Sequence, residues 1–208
     1  MTKPESSCFS DVSQRQCNKF DSGFSIYSSN CGTAVGVRVP FIVRWPGQLP
    51  QGKVVDVPIM NIDIFPTIAS LVGAPLPNKK IDGMNIWPIL TGSTTVNPHK
   101  AYFFYFGHNE LQAVRYQNWK LILPHTYKTL GAKQGGHDGL PVPYDHRKVE
   151  QPQLFNLRQD PEENHDVAAE HPDIVAIIQS LAEQMRLDLG DALTGVEGSG
   201  RRPIGRVD

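Results

Sequence analysis

The stretch from Tyr102 to Leu123, YFFYFGHNELQAVRYQNWKLIL, decides the fold. Three runs rich in aromatic and β-branched residues, Tyr102–Phe106, Leu111–Tyr116 and Lys120–Leu123, are separated by short polar segments. Runs of this composition, bounded by Gly and Asn, are typical of strands joined by tight turns. The stretch therefore predicts an antiparallel meander, and Leu154–Leu157 predicts one more short strand further along the chain.

A long helix is predicted downstream of these strands, from Pro172 to Leu189. Ile174, Ile178 and Leu181 recur at helical spacing, Pro suits the first helical position, and Gly190 can close the helix. We expect this apolar face to lie against the sheet formed by residues 102–123 and 154–157.

The sequence upstream of the meander contains weaker signals. Phe41–Trp45 predicts a strand, and 63–73 predicts a helix with Ile64, Ile68 and Leu71 on one buried face. Residues 87–92 suggest a single helical turn. Residues 124–151 are rich in Gly and Pro and predict a long loop, a length typical of functional or mobile segments.

The length of 208 residues favours one domain with irregular extensions. Residues 1–35 are polar and lack an apolar period, so they predict an unpatterned, poorly ordered N-terminal segment. The ordered region is expected over 36–190. Glycines and arginines after it predict a flexible tail over 191–208.

The charge balance argues against two classes of partner. The sequence contains 20 Lys and Arg residues and 21 Asp and Glu residues, so its net charge is −1. A net charge this small creates no long-range field that would attract nucleic acid or anionic membranes. No apolar run is long enough to cross a bilayer, and no secretion signal is recognisable at the N-terminus. We expect neither a nucleic-acid nor a membrane partner; the oligomeric state and the compartment stay open.

The motifs of self-sufficient catalysis are missing from the sequence. G-x-S-x-G, G-x-x-x-x-G-K, H-E-x-x-H and C-x-x-C do not occur, so we assign no catalytic residue and no metal ligand. Cys8, Cys17 and Cys31 are interpreted as free thiols. Most of the seven histidines are expected at the surface. His108 and His125 stand out as candidate substrate-binding residues, because each lies where a predicted strand ends.

Several segments, taken in order, resemble the C-terminal part of a type I, formylglycine-dependent sulfatase. The segments are GVRVPFIVRWPG from Gly36, DIFPT from Asp63, IDG from Ile81 and LTG from Leu90. Downstream, AVRYQNWKL from Ala113, PVPY from Pro141 and LFNLRQDPEEN from Leu154 resemble the arylsulfatase branch. The resemblance covers about residues 36–190.

This resemblance implies an α/β fold of the alkaline-phosphatase type. Residues 36–92 would form the end of a large α/β domain, and 101–190 a small antiparallel sheet with a packed C-terminal helix. The family mechanism uses a C-x-P-S-R cysteine converted to formylglycine, whose hydrate attacks sulfur while a divalent cation, usually calcium, polarises the sulfate.

The residues that carry this chemistry do not transfer to the chain. None of the three cysteines lies in C-x-P-S-R, and no Asp-Asp or Asp-Asn pair occurs. In the family's G-K-G-T-x-x-E-G-G run, Ser29 replaces the lysine and Ala34 the glutamate. We expect an arylsulfatase-like fragment that is inactive alone and holds no cofactor, with the match broken at Gly36 by truncation, frameshift or fusion. The alternative is a non-catalytic module that binds a sulfated small molecule or carbohydrate, or a complementary sulfatase fragment.

Overall fold

A computed structural model describes residues 39–131, 133, 136 and 138–201. The predictions for residues 1–35, for the three cysteines and for a domain start at Gly36 lie outside these residues. A 3₁₀ turn, Asn61–Asp63, precedes the helices α1 (Ile64–Val72), α2 (Trp87–Thr91) and α3 (Pro172–Leu189). The strands are β1 (Tyr102–Phe106), β2 (Glu110–Tyr116), β3 (Trp119–Ile122), β4 (His125–Thr129), β5 (Asp145–Val149) and β6 (Gln153–Asn156).

The meander and the predicted fourth strand form one sheet with the order β1-β2-β3-β6. All three neighbouring pairs are antiparallel, so the meander is confirmed. In its register Phe104 lies opposite Ala113, and Ala113 lies opposite Ile122. This α/β arrangement of a small antiparallel sheet with a C-terminal helix is the one that the sequence predicts.

The main core lies between this sheet and α3. Residues from every layer are fully or almost fully buried in it: Leu111, Val114, Leu121, Leu123, Leu154, Ile178, Leu181 and Ala182. Ile174 packs at the margin of the same cluster. The predicted helix and its predicted buried face are therefore confirmed.

Residues 124–151 contain two paired strands, so the prediction of one long loop over this whole segment is wrong. β4 and β5 pair from His125 opposite Val149 to Thr129 opposite Asp145. The four Gly residues and two of the three Pro residues of this segment lie between the two strands in sequence. Thr126, Tyr127 and Thr129 of β4 favour extended backbone, whereas β5, with the sequence DHRKV, contains only Val149 of that kind. Composition averaged over the whole segment concealed this division.

The N-terminal part of the described chain differs from prediction in two respects. Residues 41–45 form no strand, because a strand needs a neighbour for its backbone groups and no described strand lies beside them. Helix α1 forms as predicted and ends at Gly73 with a left-handed φ of 67°. Its buried residues, however, are Pro66, Thr67 and Ala69. The face predicted to be buried is largely exposed, with Ile68 at 53%.

Residues 191–201 also differ from the predicted flexible tail. Asp191 is completely buried, and it forms a bridge with Val196. Ser199 and Gly200 donate backbone hydrogen bonds to carbonyls of the last turn of α3. This segment is therefore bonded to the core helix, while residues 202–208 lie outside the described part. No helix in that part is long and apolar enough to cross a membrane.

Candidate functional site

His108 lies at the tip of the turn between β1 and β2, and its side chain is exposed. The pair formed by Phe106 and Glu110 closes a three-residue loop around it. Gly107 and Asn109 both adopt positive φ angles, of 57° and 69°, which Gly and Asn tolerate best. The sequence Gly-His-Asn thus permits a tight turn that projects one histidine from the end of the sheet.

Hydrogen bonds from the end of α3 hold this turn from behind. Asn109 Nδ2 donates to the carbonyl of Leu189 at 3.1 Å, and the carbonyl of Asn109 accepts from Ala192 N–H at 2.8 Å. The Tyr105 hydroxyl donates to the carbonyl of Gly190 at 2.9 Å. Burial, with a smaller contribution from a nearby carboxylate, raises the pKa of Tyr105 to about 12. These contacts fix the backbone on both sides of His108.

Asp191 is the buried centre of these contacts. Its carboxylate accepts from Arg186 Nε at 2.8 Å, from Leu111 N–H at 3.2 Å and from Leu193 N–H at 3.0 Å. A buried carboxylate that is both paired and hydrogen-bonded is compatible with a stable core. Because Asp191 links α3 to the first residues of β2, the position of the His108 turn depends on the docked helix.

His125, the other predicted substrate-binding residue, is only 7% exposed. Because a carbonyl oxygen can only accept, Nδ1 donates to the carbonyl of Leu123 at 2.7 Å, and Nε2 is the ring nitrogen that this bond leaves available. Leu123 N–H bonds the carbonyl of Gln112, near the start of β2. His125 and His108 therefore lie at the same end of the sheet, one buried and one exposed.

Two buried polar pairs were not recognised in the sequence, and the first joins Asp63 to His99. The Asp63 carboxylate is fully buried and accepts from His99 Nε2 at 2.8 and 3.0 Å, from Met60 N–H at 2.7 Å and from Met84 N–H at 2.8 Å. His99 is thus not a surface histidine. It anchors the start of α1 to the segment before β1, across 36 residues of sequence for which no local signal exists.

The second pair joins Lys120 to Glu163 on the side of the sheet opposite α3. Lys120 Nζ lies 2.8 and 2.9 Å from the two carboxylate oxygens, and it lies 5.5 Å from the centre of the Phe104 ring. Both side chains are almost completely buried. Burial lowers the pKa of Lys120, and the Glu163 carboxylate opposes that shift. The acidic turn at 160–163, interpreted from sequence only as a turn, therefore also neutralises a buried lysine.

Two family models match the chain. The C-terminal region of aryl-sulfatase matches residues 97–197, and the C-terminal region of N-sulphoglucosamine sulphohydrolase matches residues 32–132. Together they include the sheet, α3 and both helices that precede the sheet. This fold and these matches define the C-terminal region of sulfatases as the class of protein.

Curated relatives agree with the models. Steryl-sulfatase from Mus musculus is 34% identical over 170 residues, which are 76% of this chain and 27% of that protein. Arylsulfatase A from Homo sapiens is 31% identical over 170 residues, 76% of this chain and 32% of that protein. The chain belongs to the sulfatase family and corresponds to its C-terminal part. It spans about a quarter to a third of the length of these relatives.

Solved structures show the same fold. A structure from work on the metabolism of multiple glycosaminoglycans by Bacteroides thetaiotaomicron matches with a TM-score of 0.59 and 27% identity, covering 83% of this chain and 35% of that one. A sulfatase from Pseudoalteromonas sp. matches with a TM-score of 0.53 and 17% identity, covering 68% and 28%. The second match supports the fold alone.

The described residues do not fit the calcium site that the family resemblance implies. Across residues 39–131, 133, 136 and 138–201, no group of three or more His, Cys, Asp and Glu side chains is arranged to hold a metal ion. The carboxylates of Asp63 and Glu163 are almost completely buried and are paired with His99 and Lys120. No step proposed below runs through a metal on these residues.

Proposed function

We propose that this chain is the C-terminal module of a sulfuric ester hydrolase and is inactive without the α/β part that carries the nucleophile. The observation that supports this proposal is a set of large apolar residues that are exposed on two segments of the N-terminal half. They lie on the extended segment and on α1: Phe41, Ile42, Val43, Trp45, Phe65, Ile68, Leu71 and Val72. These eight residues are called the docking residues below.

The docking residues fit a covering partner because a large exposed apolar surface usually marks an interaction site. Phe65 and Ile68 are each more than half exposed on a helix whose other face is buried. Segment 41–45 is rich in strand-forming residues but has no described neighbour with which to pair. A sheet edge and an apolar surface, as in the large domain of a whole sulfatase, would satisfy both, in the same chain or in a separate one.

The substrate class proposed for the assembled enzyme is a sulfated small molecule or carbohydrate. The glycosaminoglycan context of the Bacteroides structure, at 27% identity and a TM-score of 0.59, supports it. We keep His108 as a proposed substrate contact, because it is exposed on a turn held rigidly by α3. His125 is proposed to contribute through Nε2 alone, since its Nδ1 is bonded to the backbone. Calcium would bind to the α/β part.

The experiment has two arms. In the first, the purified chain is incubated with 4-nitrophenyl sulfate and calcium, and no release of the phenol above the buffer rate is expected. In the second, residues 36–201 replace the matching region of human arylsulfatase A, and hydrolysis is measured against the same enzyme truncated before that region. We expect the graft to recover hydrolysis that the truncated enzyme lacks.

Matched variants test the docking residues in this graft. Ile68→Asp should abolish the recovered hydrolysis, because it places a charge in the proposed interface. Leu140→Asp, at a residue that is 73% exposed and lies outside both the docking residues and the cleft described below, should leave it unchanged. Steady turnover by the chain alone would refute the inactive-module proposal, and a folded graft without hydrolysis would refute the assembly.

A second candidate function is a non-catalytic module that binds a sulfated ligand. A cleft lined in part by charged and amide side chains, at the other end of β2 from His108, favours it. Saturable binding without turnover in any assembled form would select it. Binding and hydrolysis are measured separately, so the two candidates make different predictions for the same graft.

A further inference from the structure

An open cleft of about 530 Å³ lies where the helical part of the chain meets the sheet. Its walls come from residues 53–58, from Thr94, Thr95 and Asn97, and from the turn between β2 and β3. Small-molecule sites commonly have volumes of roughly 300 to 1,000 Å³ and often lie where structural units meet. The cleft therefore has the size and the position of a ligand site.

Amide side chains supply hydrogen-bonding groups along one side of this cleft. Asn97, Gln117 and Asn118 line it. Asn97 Oδ1 accepts from the Tyr102 hydroxyl at 2.9 Å and from His99 N–H at 2.9 Å, which fixes the orientation of that amide. Positioned amides next to apolar carbon suit a ligand with many hydroxyl groups and some C–H surface, as a sugar has.

Two cations and one carboxylate set the charge of the cleft. Lys53 and Arg115 line it together with Asp56, an excess of one positive charge in a chain whose net charge is −1. Arg115 Nε donates to the carbonyl of Gln117 at 3.0 Å, which orients the guanidinium group. The cleft is thus complementary to an anionic ligand, and a guanidinium group is well suited to bind an oxyanion.

Gly92 leaves space for the ammonium group of Lys53 beside the cleft. A Cβ atom added to Gly92 would lie 1.5 Å from Lys53 Nζ, so the ammonium group occupies the space that a side chain there would fill. Gly92 ends α2, where a positive charge is favoured by the helix carbonyls. Lys53 can therefore reach this position because residue 92 has no side chain.

The cleft is far from the proposed substrate contact. Gln117 and Asn118 follow the last residue of β2, whereas His108 precedes the first, and β2 has seven residues. At about 3.3 Å per residue, roughly 20 Å of sheet separates the two ends. A single aryl sulfate cannot contact both places, whereas an extended oligosaccharide can.

We infer that this cleft binds a sulfated sugar unit of an oligosaccharide, with the sulfate ester held by Lys53 and Arg115, at a place remote from the reacting bond. The inference rests on the proposed function for its substrate class. It assigns the chain a role in retaining a polymeric substrate while the catalytic part acts on another unit.

The binding experiment uses the full chain and a chondroitin sulfate hexasaccharide, measured by isothermal titration calorimetry at low salt. Lys53→Gln and Arg115→Gln should each weaken binding at least tenfold. Lys100→Gln removes the same charge from an exposed lysine outside the cleft and should change affinity less than twofold. Thermal unfolding of each variant verifies the fold. Lys53 is exposed, so Lys53→Gln still tests the cleft if Arg115→Gln fails to fold.

Three results would overturn the inference: unchanged affinity in both cleft variants, equal affinity for the chemically desulfated hexasaccharide, or complete displacement by inorganic sulfate at equal concentration. The arylsulfatase A graft separates this inference from the proposed function. In a graft carrying Lys53→Gln, hydrolysis of 4-nitrophenyl sulfate should be unchanged. A graft without any hydrolysis would contradict the proposed function and leave the binding result to decide the cleft.

Discussion

The packing of α3 can be tested by one pair of identical substitutions at adjacent positions. Ile178 is completely buried against the sheet, whereas Ile177, one residue earlier, is 43% exposed. Ile→Ala at either position removes the same atoms and changes helix propensity by the same amount. Any difference between the two variants therefore measures burial against the sheet.

The expected magnitudes follow from the two environments. Removing three carbon atoms from a fully buried side chain loses about 2.4 kcal/mol of transfer free energy, at about 0.8 kcal/mol for each methylene-sized group. A cavity adds to this loss, so Ile178→Ala should lower the free energy of unfolding by about 3 to 4 kcal/mol. Ile177→Ala loses about half of the transfer contribution and leaves no cavity, so about 1 kcal/mol is expected.

Urea unfolding followed by circular dichroism at 222 nm is the appropriate assay. The slope of the unfolding free energy against urea concentration should be the same for wild type and Ile177→Ala, because this substitution hardly changes the surface exposed on unfolding. If Ile178→Ala prevents cooperative unfolding while Ile177→Ala preserves it, the conclusion about burial is the same. Equal effects of the two substitutions would mean that α3 does not pack on the sheet as described.

Three further results are expected. Glu163→Gln should destabilise the chain by about 3 to 5 kcal/mol in urea unfolding, because it leaves the buried ammonium of Lys120 without its counter-charge. Restored stability in a Lys120→Met/Glu163→Gln double variant would support that reason. Stability should fall as pH rises from 10 through about 12, because the unfolded chain releases the Tyr105 proton at lower pH than the folded chain does. In Tyr105→Phe that part of the fall should vanish from thermal melts, and an identical fall in this variant would contradict the assignment. Asp191→Ala should cost about 3 kcal/mol in the same unfolding assay, since Arg186 loses a buried partner, whereas a change below about 0.5 kcal/mol would show that the segment after α3 is not anchored there.

Local patterns were sufficient for the elements of the sheet and its helix. Strand β1 has the predicted bounds, and α3 begins and ends at Pro172 and Leu189 as predicted. In these segments composition, spacing and capping residues all favour the same element, so residues close together in the sequence are enough to predict it. The hairpin was missed because β5 consists mostly of charged residues, which give no strand signal, and because the Thr and Tyr residues of β4 were averaged with the Gly and Pro residues between the two strands.

The site was less predictable than the fold. His108 and His125 were chosen because each lies where a strand ends, but their burial depends on what packs there. The partners of Asp63 and Lys120 lie 36 and 43 residues away, and no periodicity connects such positions. Their charges identified them only as polar residues, so their role in joining segments required the folded arrangement.

The sequence by itself determined the family, the meander, the long helix and its buried face, because each depends on residue types at short, regular spacing. Only the tertiary structure decided which histidine is exposed and which polar side chains are buried in pairs. It also decided that α1 directs its large apolar side chains outward. The physical reason is that burial is a property of contacts between distant segments. An amphipathic pattern predicts that a face will be covered, and the arrangement of the other elements determines whether this chain covers it.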